Sequence, residues 1–225
     1  MNKLTTRLII ALFTFLLGMA ATVVWLAHCR SSEGVPQDGN VSRVGHGNQE
    51  LRLIIPKDTW EPIFFKSINE RTTGANLPSL RTVTLPQNDF EVRVWVGFGL
   101  NGIDGFILRR STNEWIAIHL HEMSERPPYG KYQRNLEAPK SGWGSAWQKL
   151  VDAGILTLPD ASEVNCEGGI NDGKSYVVEI NKDRVYRTYM YDNPNFAKCG
   201  EAQQMIEIGE IIADEFDLED FRIRK

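Results

Sequence analysis

Two histidines separated by one residue, His119 and His121, are the side chains of this sequence best suited to bind a metal ion. Residues two apart on a β-strand lie on the same face, so both imidazoles would point the same way, alongside Trp115. Such a pair can begin a zinc or copper site, but the site needs further ligands. The sequence offers only Glu122, on the opposite face, or a distant aspartate.

Without a third ligand at a motif spacing, the sequence favours a solvated histidine pair over a metal site. We therefore predict no metal and no other cofactor. Substitution of both histidines by asparagine is expected to leave thermal stability nearly unchanged, as surface substitutions usually do. The alternative to a chain without a metal is an extracytoplasmic metal-dependent hydrolase or metalloprotein that uses His119 and His121.

Three glycines, Gly97, Gly99 and Gly102, form a GxGxxG sequence directly after a strand-like segment. A dinucleotide-binding site requires a helix after these glycines, because the helix N-terminus carries the pyrophosphate. Here another strand pattern follows. The sequence also lacks the H-R-D and D-F-G segments of a kinase and the G-x-S-x-G of a serine hydrolase. We interpret the glycines as a turn between two strands.

The segment from Glu122 to Lys140 shows no periodicity and carries several basic and aromatic residues. Long irregular loops in compact domains are often functional, and this one would suit recognition of a protein or a small molecule. The predicted binding residues are Tyr129, Lys131, Tyr132 and Arg134. The competing interpretation is a loop packed down by its own aromatic side chains.

The overall charge of the chain gives no reason to expect nucleic acid as a partner. The 225 residues are 42% hydrophobic and carry a formal net charge of −4, which excludes a disordered chain of low hydrophobicity.

Acidic residues near the C-terminus are expected to be solvated, because neighbouring like charges repel. These residues are Asp214, Glu215, Asp217, Glu219 and Asp220.

Alternating apolar residues predict strands that pair as hairpins. One hairpin is predicted over Phe106–Arg109 and Trp115–His121, and a second over Tyr176–Ile180 and Val185–Tyr191. A further strand covers Glu91–Phe98, with Val92, Val94, Val96 and Phe98 on one face. Shorter strands are expected at Leu51–Ile55 and Leu80–Leu85.

Helical periodicity appears in two segments. Trp143, Trp147 and Leu150 share one helical face, and Gly154 is placed to end that helix. A second amphipathic helix is predicted over Glu201–Phe216, and a short helical piece from Asp58 to Ile68. The sequence therefore predicts an α+β fold, with an antiparallel sheet built from hairpins and two or three packed helices.

An uncharged segment of 20 residues, from Leu8 to Ala27, predicts an N-terminal membrane-targeting helix. Its length favours a signal-anchor transmembrane helix, but cleavage as a signal peptide after Ala20 stays open. Residues 1–30 are assigned to this segment, 31–50 to a flexible Gly- and Ser-rich linker, and 51–225 to a single globular domain.

The positive residues Lys3 and Arg7 precede the apolar segment, so the N-terminus should stay inside and the rest should cross the membrane. In an oxidising compartment, Cys166 and Cys199 are expected to form a disulfide. The predicted location is therefore the cell membrane, single-pass, or the periplasm or exterior after cleavage.

These observations favour a membrane-tethered or secreted module that binds a protein or a small molecule, rather than an enzyme. The module would contact the membrane through its N-terminal segment, and no nucleic-acid partner is expected. The exported part, residues 31–225, carries 22 basic and 29 acidic residues, because three of the 25 basic residues and no acidic one precede it. Its net charge of −7 disfavours general binding to anionic surfaces.

The predicted orientation can be tested by protease treatment of intact spheroplasts that express the full-length chain. Residues 31–225 should be digested, because the charge asymmetry around the apolar segment places them outside the cytoplasm. An untouched domain in intact spheroplasts, digested only after lysis, would contradict this orientation.

Overall fold

Both predicted hairpins are present in the computed structural model and form part of one sheet. The structure describes residues 43–44, 51–56, 61–99, 102–112, 114–123, 130–166 and 173–222, all within one compact unit, Gly39–Lys225. The strands are β1 (Arg43–Val44), β2 (Leu51–Ile54), β3 (Phe90–Gly99), β4 (Gly102–Ser111), β5 (Glu114–Met123), β6 (Gly130–Asn135), β7 (Ser175–Lys182) and β8 (Val185–Asp192).

The strands lie in the order β1-β2-β8-β7-β3-β4-β5-β6. All neighbouring pairs are antiparallel except β2 and β8, which are parallel. The described helices are α1 (Glu61–Gly74), α2 (Trp143–Asp152) and α3 (Gly200–Phe216). The predicted mixed α+β fold with a mostly antiparallel sheet is therefore confirmed.

Helices cover both faces of the sheet, because its central strands are apolar on both sides. On one face, Val92 and Val94 of β3 belong to the core that α2 and α3 complete with Leu150 and Met205. On the other face, residues of α1 pack against Trp95, Ile107 and Leu120. The face covered by α2 and α3, called the α3 face below, also carries His119 and His121.

The C-terminal end of α2 forms as the sequence predicts. Gly154 has a positive φ of 91°, its backbone N–H donates to the Val151 carbonyl, and the Ile155 N–H donates to the Leu150 carbonyl. These bonds satisfy carbonyl oxygens that have no partner inside the helix. Only a residue that tolerates the left-handed region can end the helix in this way.

The expected strand at Leu80–Leu85 is wrong. Leu80–Thr82 is a single 3-10 turn instead. The neighbouring strand β3 already has β4 and β7 as its two partners, so no edge is free for another strand. The buried Asn181 amide group donates to the carbonyl oxygens of Leu80 and Val83, at 3.0 and 2.7 Å, and fixes this irregular segment.

The interpretation of Glu122–Lys140 as one irregular loop is also wrong, because β6 lies within it and pairs with β5. This strand is the edge of the sheet, and its residues Tyr132 to Asn135 are exposed. An exposed edge strand has no buried face to enforce apolar alternation, so the usual periodic signal is missing.

The predicted face of Phe98 is wrong for a local reason. The β3–β4 register shifts between Gly97 and Gly99, and Phe98 has a positive φ of 67°. This bulge turns the Phe98 ring towards Phe64 of α1, with centroids 5.8 Å apart. A Cβ atom on Gly97 would lie 2.2 Å from the Gly102 carbonyl oxygen. The glycines therefore serve a strand-to-strand turn, as predicted.

Several N-terminal predictions fall partly or wholly outside the described residues. The apolar segment Leu8–Ala27 and the capping residue Asp58 lie outside them, and α1 extends beyond the predicted end at Ile68. Within the segment expected to be a linker, Arg43–Val44 pairs with β2. Among the described helices, none is long and apolar enough to cross a bilayer.

The predicted disulfide is present. Cys166 and Cys199 are bonded, and their Cα atoms lie 5.2 Å apart. Cys199 is the N-cap of α3, so the bond attaches the start of this helix to the segment that follows Asp160. In the chain-entropy description, a loop of this length contributes about 3–4 kcal/mol.

A buried carboxylate connects α2 to α3. Glu215 of α3 accepts a hydrogen bond from Lys149 Nζ at 2.6 Å, and from the Ser141 N–H and hydroxyl at 2.9 Å each. Burial of Glu215 raises its pKa, but the bonds from Lys149 and Ser141 outweigh burial and hold that pKa below its ordinary value of 4.5. The expectation of a solvated Glu215 is therefore wrong.

Replacement of this carboxylate should reduce stability in a pH-dependent way. Because the folded pKa is lowered, the stabilisation is present above about pH 4.5 and is lost as the pH falls through the folded value. Glu215→Gln should therefore lower the free energy of unfolding by about 1–2 kcal/mol at pH 7, and the difference should shrink in acid. Urea unfolding between pH 3 and 7 measures it. Exposed Glu207, on the same helix, provides the control Glu207→Gln, and an equal loss in both variants would contradict this role.

Candidate metal centre

The pairing of β4, β5 and β6 arranges two rows of side chains across the α3 face. In the first row, Phe106 lies opposite His119, which in turn lies opposite Arg134. In the second row, His121 lies opposite Tyr132, and Asp104 of β4 lies beside His121. Directly paired residues share a face, so all of these side chains project from the α3 face.

Four potential metal ligands converge at this place: Asp104, His119, His121 and Asp220. One ligand atom from each lies within 4.8 Å of the others. His121 Nδ1 is 2.5 Å from Asp104 Oδ1 and 3.8 Å from Asp220 Oδ2. Asp220 comes from a 3-10 turn, Glu219–Phe221, which follows α3. Ligand atoms around a tetrahedral zinc lie about 3.4 Å apart. Small side-chain rotations would bring the four ligand atoms to these separations.

His119 is the most unusual member of the cluster, because it is buried without a hydrogen-bond partner. It is 2% exposed, and within the part of the chain that the structure describes neither ring nitrogen has a partner. Its ring packs edge-on against Tyr132 and Phe221, with centroids 6.0 Å away in both cases. Buried polar atoms are nearly always satisfied, so an exception requires an explanation.

The surroundings keep His119 neutral. Burial, and then the positive charge of Arg134, lower the pKa of His119 to about 4. The imidazole is therefore uncharged near pH 7, and one ring nitrogen keeps a free lone pair. A neutral imidazole is the form that coordinates metal ions.

The pKa of the Asp104 carboxylate is also shifted from its ordinary value. Burial of the carboxylate raises the pKa of Asp104, the nearby His121 lowers it, and the charge of Asp220 raises it again, for a net increase. Two carboxylates held close together repel each other when both are ionised. A divalent cation between them would remove this repulsion.

The structure changes the interpretation of the histidine pair. The shared face is confirmed, but the expectation that both side chains are solvated is wrong, because His119 lies under Phe221. The small stability change expected for the double asparagine variant assumed two exposed histidines, and His119 is buried.

Asp104 and Asp220 were missed as partners of the histidines. Extending the predicted hairpin register would have brought Asp104 beside His121, so that signal was available in the sequence. No such signal exists for Asp220, which lies among acidic residues expected to be solvated and is positioned by the turn after α3.

The predicted recognition residues are partly brought to this cluster. Tyr132 and Arg134 lie on β6, and the Tyr132 ring is 5.0 Å from that of His121. The backbone of Lys131 belongs to β6, and Tyr129 lies outside the described residues. A second group of potential ligands, Cys166, Cys199 and Glu201, is less suitable for a metal because its two sulfurs are bonded to each other.

Comparisons with known proteins leave the geometry as the basis for a functional argument. No protein-family model and no curated protein matches this chain.

His119 is buried and its nitrogens have no partner among the described residues, so its replacement by an apolar side chain should increase stability. His119→Leu should raise the free energy of unfolding of the metal-free chain by about 1 kcal/mol, because it removes two unsatisfied buried nitrogens. His121→Leu should have the opposite effect, because it deprives Asp104 of its hydrogen bond. Thermal and urea unfolding in a chelator measure both. A loss of about 2 kcal/mol or more in His119→Leu would show that the imidazole is needed structurally.

Proposed function

We propose that this chain is a membrane-tethered or secreted extracytoplasmic module that binds one divalent transition metal ion through Asp104, His119, His121 and Asp220. The observation that carries the proposal is the buried imidazole of His119, which has no partner among the described residues and faces three other potential ligands. Coordination would satisfy one of its nitrogens and would compensate for its burial.

The donor set narrows the choice of metal. Two imidazole nitrogens and two carboxylate oxygens suit zinc and neighbouring transition metals, whereas magnesium and calcium prefer oxygen ligands alone. The cluster contains no thiolate, which disfavours Cu(I) and iron–sulfur chemistry at this place. Zn²⁺ is therefore the first ion to test.

The positions of the ligands suggest different roles in binding. His119 and His121 belong to one strand of a packed sheet and would form the rigid part of the site. Asp104 is fixed by the adjacent strand, and its side chain is 17% exposed. Asp220 is 51% exposed and follows the last described helix, so it would close the site from the solvent side.

The extracytoplasmic location is supported by two features. The disulfide between Cys166 and Cys199 is typical of oxidising compartments. The uncharged segment Leu8–Ala27, preceded by Lys3 and Arg7, is suited to direct the chain across a membrane. A hydrolase that uses the same metal is the enzymatic alternative, and it would require an open coordination position for water.

Zinc binding can be measured by isothermal titration of the full-length, metal-stripped chain. We expect one Zn²⁺ per chain. His119→Asn, His121→Asn and Asp104→Asn should each weaken binding at least tenfold, because even residues that only orient metal ligands usually contribute about 10–100-fold. Unfolding of each variant in a chelator checks that it is still folded.

The chain provides a matched control, because it has two further histidines, His28 and His46. A His28→Asn/His46→Asn variant should bind zinc as tightly as the unmodified chain. Zinc binding that disappears in this control, or that survives the loss of both His119 and His121, would contradict the proposal.

A further inference from the structure

Two cationic side chains lie beside the metal-ligand cluster without a carboxylate partner among the described residues. Arg134 lies directly opposite His119 on the edge strand β6 and is exposed. Lys174 precedes β7, is exposed, and donates a hydrogen bond to the Asp220 backbone carbonyl at 3.4 Å. Two cations without a carboxylate partner in the part of the chain that the structure describes are notable where the net charge is −4.

Both charges act on the cluster itself. Arg134 contributes to the lowered pKa of His119, and Lys174 acts on the carboxylate of Asp104. Glu219 pairs with Arg222. Asp192 pairs with Ser175, one position along from Tyr176 and Tyr191 of the α3-face core, so it projects from the opposite face of the sheet. Among the described residues, neither cation therefore has a carboxylate partner.

The charges of the loaded site can be added directly. A divalent ion is neutralised by the carboxylates of Asp104 and Asp220, while both histidines are neutral ligands. Arg134 and Lys174 then add two positive charges beside this neutral combination of metal and ligands. A phosphate group carries about −1.5 to −2 at pH 7 and presents several acceptor oxygens, so it matches this arrangement in charge.

On the basis of the proposed metal site, we infer that the same place binds a phosphate group, with one oxygen taking a fifth position on the metal and others directed to Arg134 and Lys174. The guanidinium of Arg134 supplies a planar fork of N–H donors suited to phosphate oxygens. The ammonium of Lys174 supplies a second positive charge. It approaches from the other side of the cluster, because β7 and β6 lie on either side of β4 and β5 in the sheet. Tyr132, 44% exposed, borders this position next to His121.

The inference can be tested with Co²⁺ as the metal and inorganic phosphate as the probe, using the full-length chain. The visible absorption of bound Co²⁺ changes when an anion enters its coordination sphere, so a phosphate titration gives a dissociation constant. Arg134→Gln and Lys174→Gln should each weaken phosphate binding about tenfold, with Co²⁺ affinity nearly unchanged. Acetate should bind about tenfold more weakly than phosphate, because it carries a single charge.

Lys182 provides the matched control, because it lies at the other end of β7, about 26 Å along the strand from Lys174. Lys182→Gln should bind phosphate as the unmodified chain does. A chain that takes up Co²⁺ but shows no spectral response to phosphate would overturn this inference and leave the metal site intact. Equal phosphate affinity in the Arg134, Lys174 and Lys182 variants would also overturn it. A chain that takes up no Co²⁺ would overturn the metal site itself.

Discussion

The antiparallel register between β4 and β5 determines which side chains of this domain lie together on the α3 face. Pairing Phe106 with His119 brings Asp104 beside His121, and places both histidines under the C-terminal turn that carries Asp220 and Phe221. A shift of one residue would move every one of these side chains to the opposite face, where α1 packs. Because each face is buried against helices, the register is fixed by the core, and the cluster follows from that core.

The side chains on the α3 face change from apolar at β3 to polar at β5 and β6. At β3 this face is lined by Val92, Val94 and Val96, which pack against the helices. At β5 and β6 the same face carries the imidazoles of the two histidines, the phenol of Tyr132 and the guanidinium of Arg134. His119 lies beneath aromatic rings with both nitrogens unpartnered within the described residues, an arrangement that is expected to reduce stability and that the proposed metal site would explain.

The sequence predicts the regular elements well where local chemistry decides them. Alternation in β3 and the two hairpins, and Gly154 at the end of α2, all follow from periodicity and backbone preferences. It fails where tertiary contacts decide. Leu80–Thr82 is held by a side chain about one hundred residues away, and β6 is an exposed edge without a periodic signal. The histidine pair was visible in the sequence, but its carboxylate partners come from another strand and from the turn after α3. Only the fold brings those four residues together.

Crystals of the zinc-loaded chain would show whether the two histidines and two aspartates hold a metal ion. The measurement is an anomalous difference map from data collected at the zinc absorption edge. We expect one peak about 2.1 Å from a ring nitrogen of both His119 and His121, with Asp104 as a further ligand. Zinc located away from the α3 face, with the nitrogens of His119 still unpartnered, would contradict it.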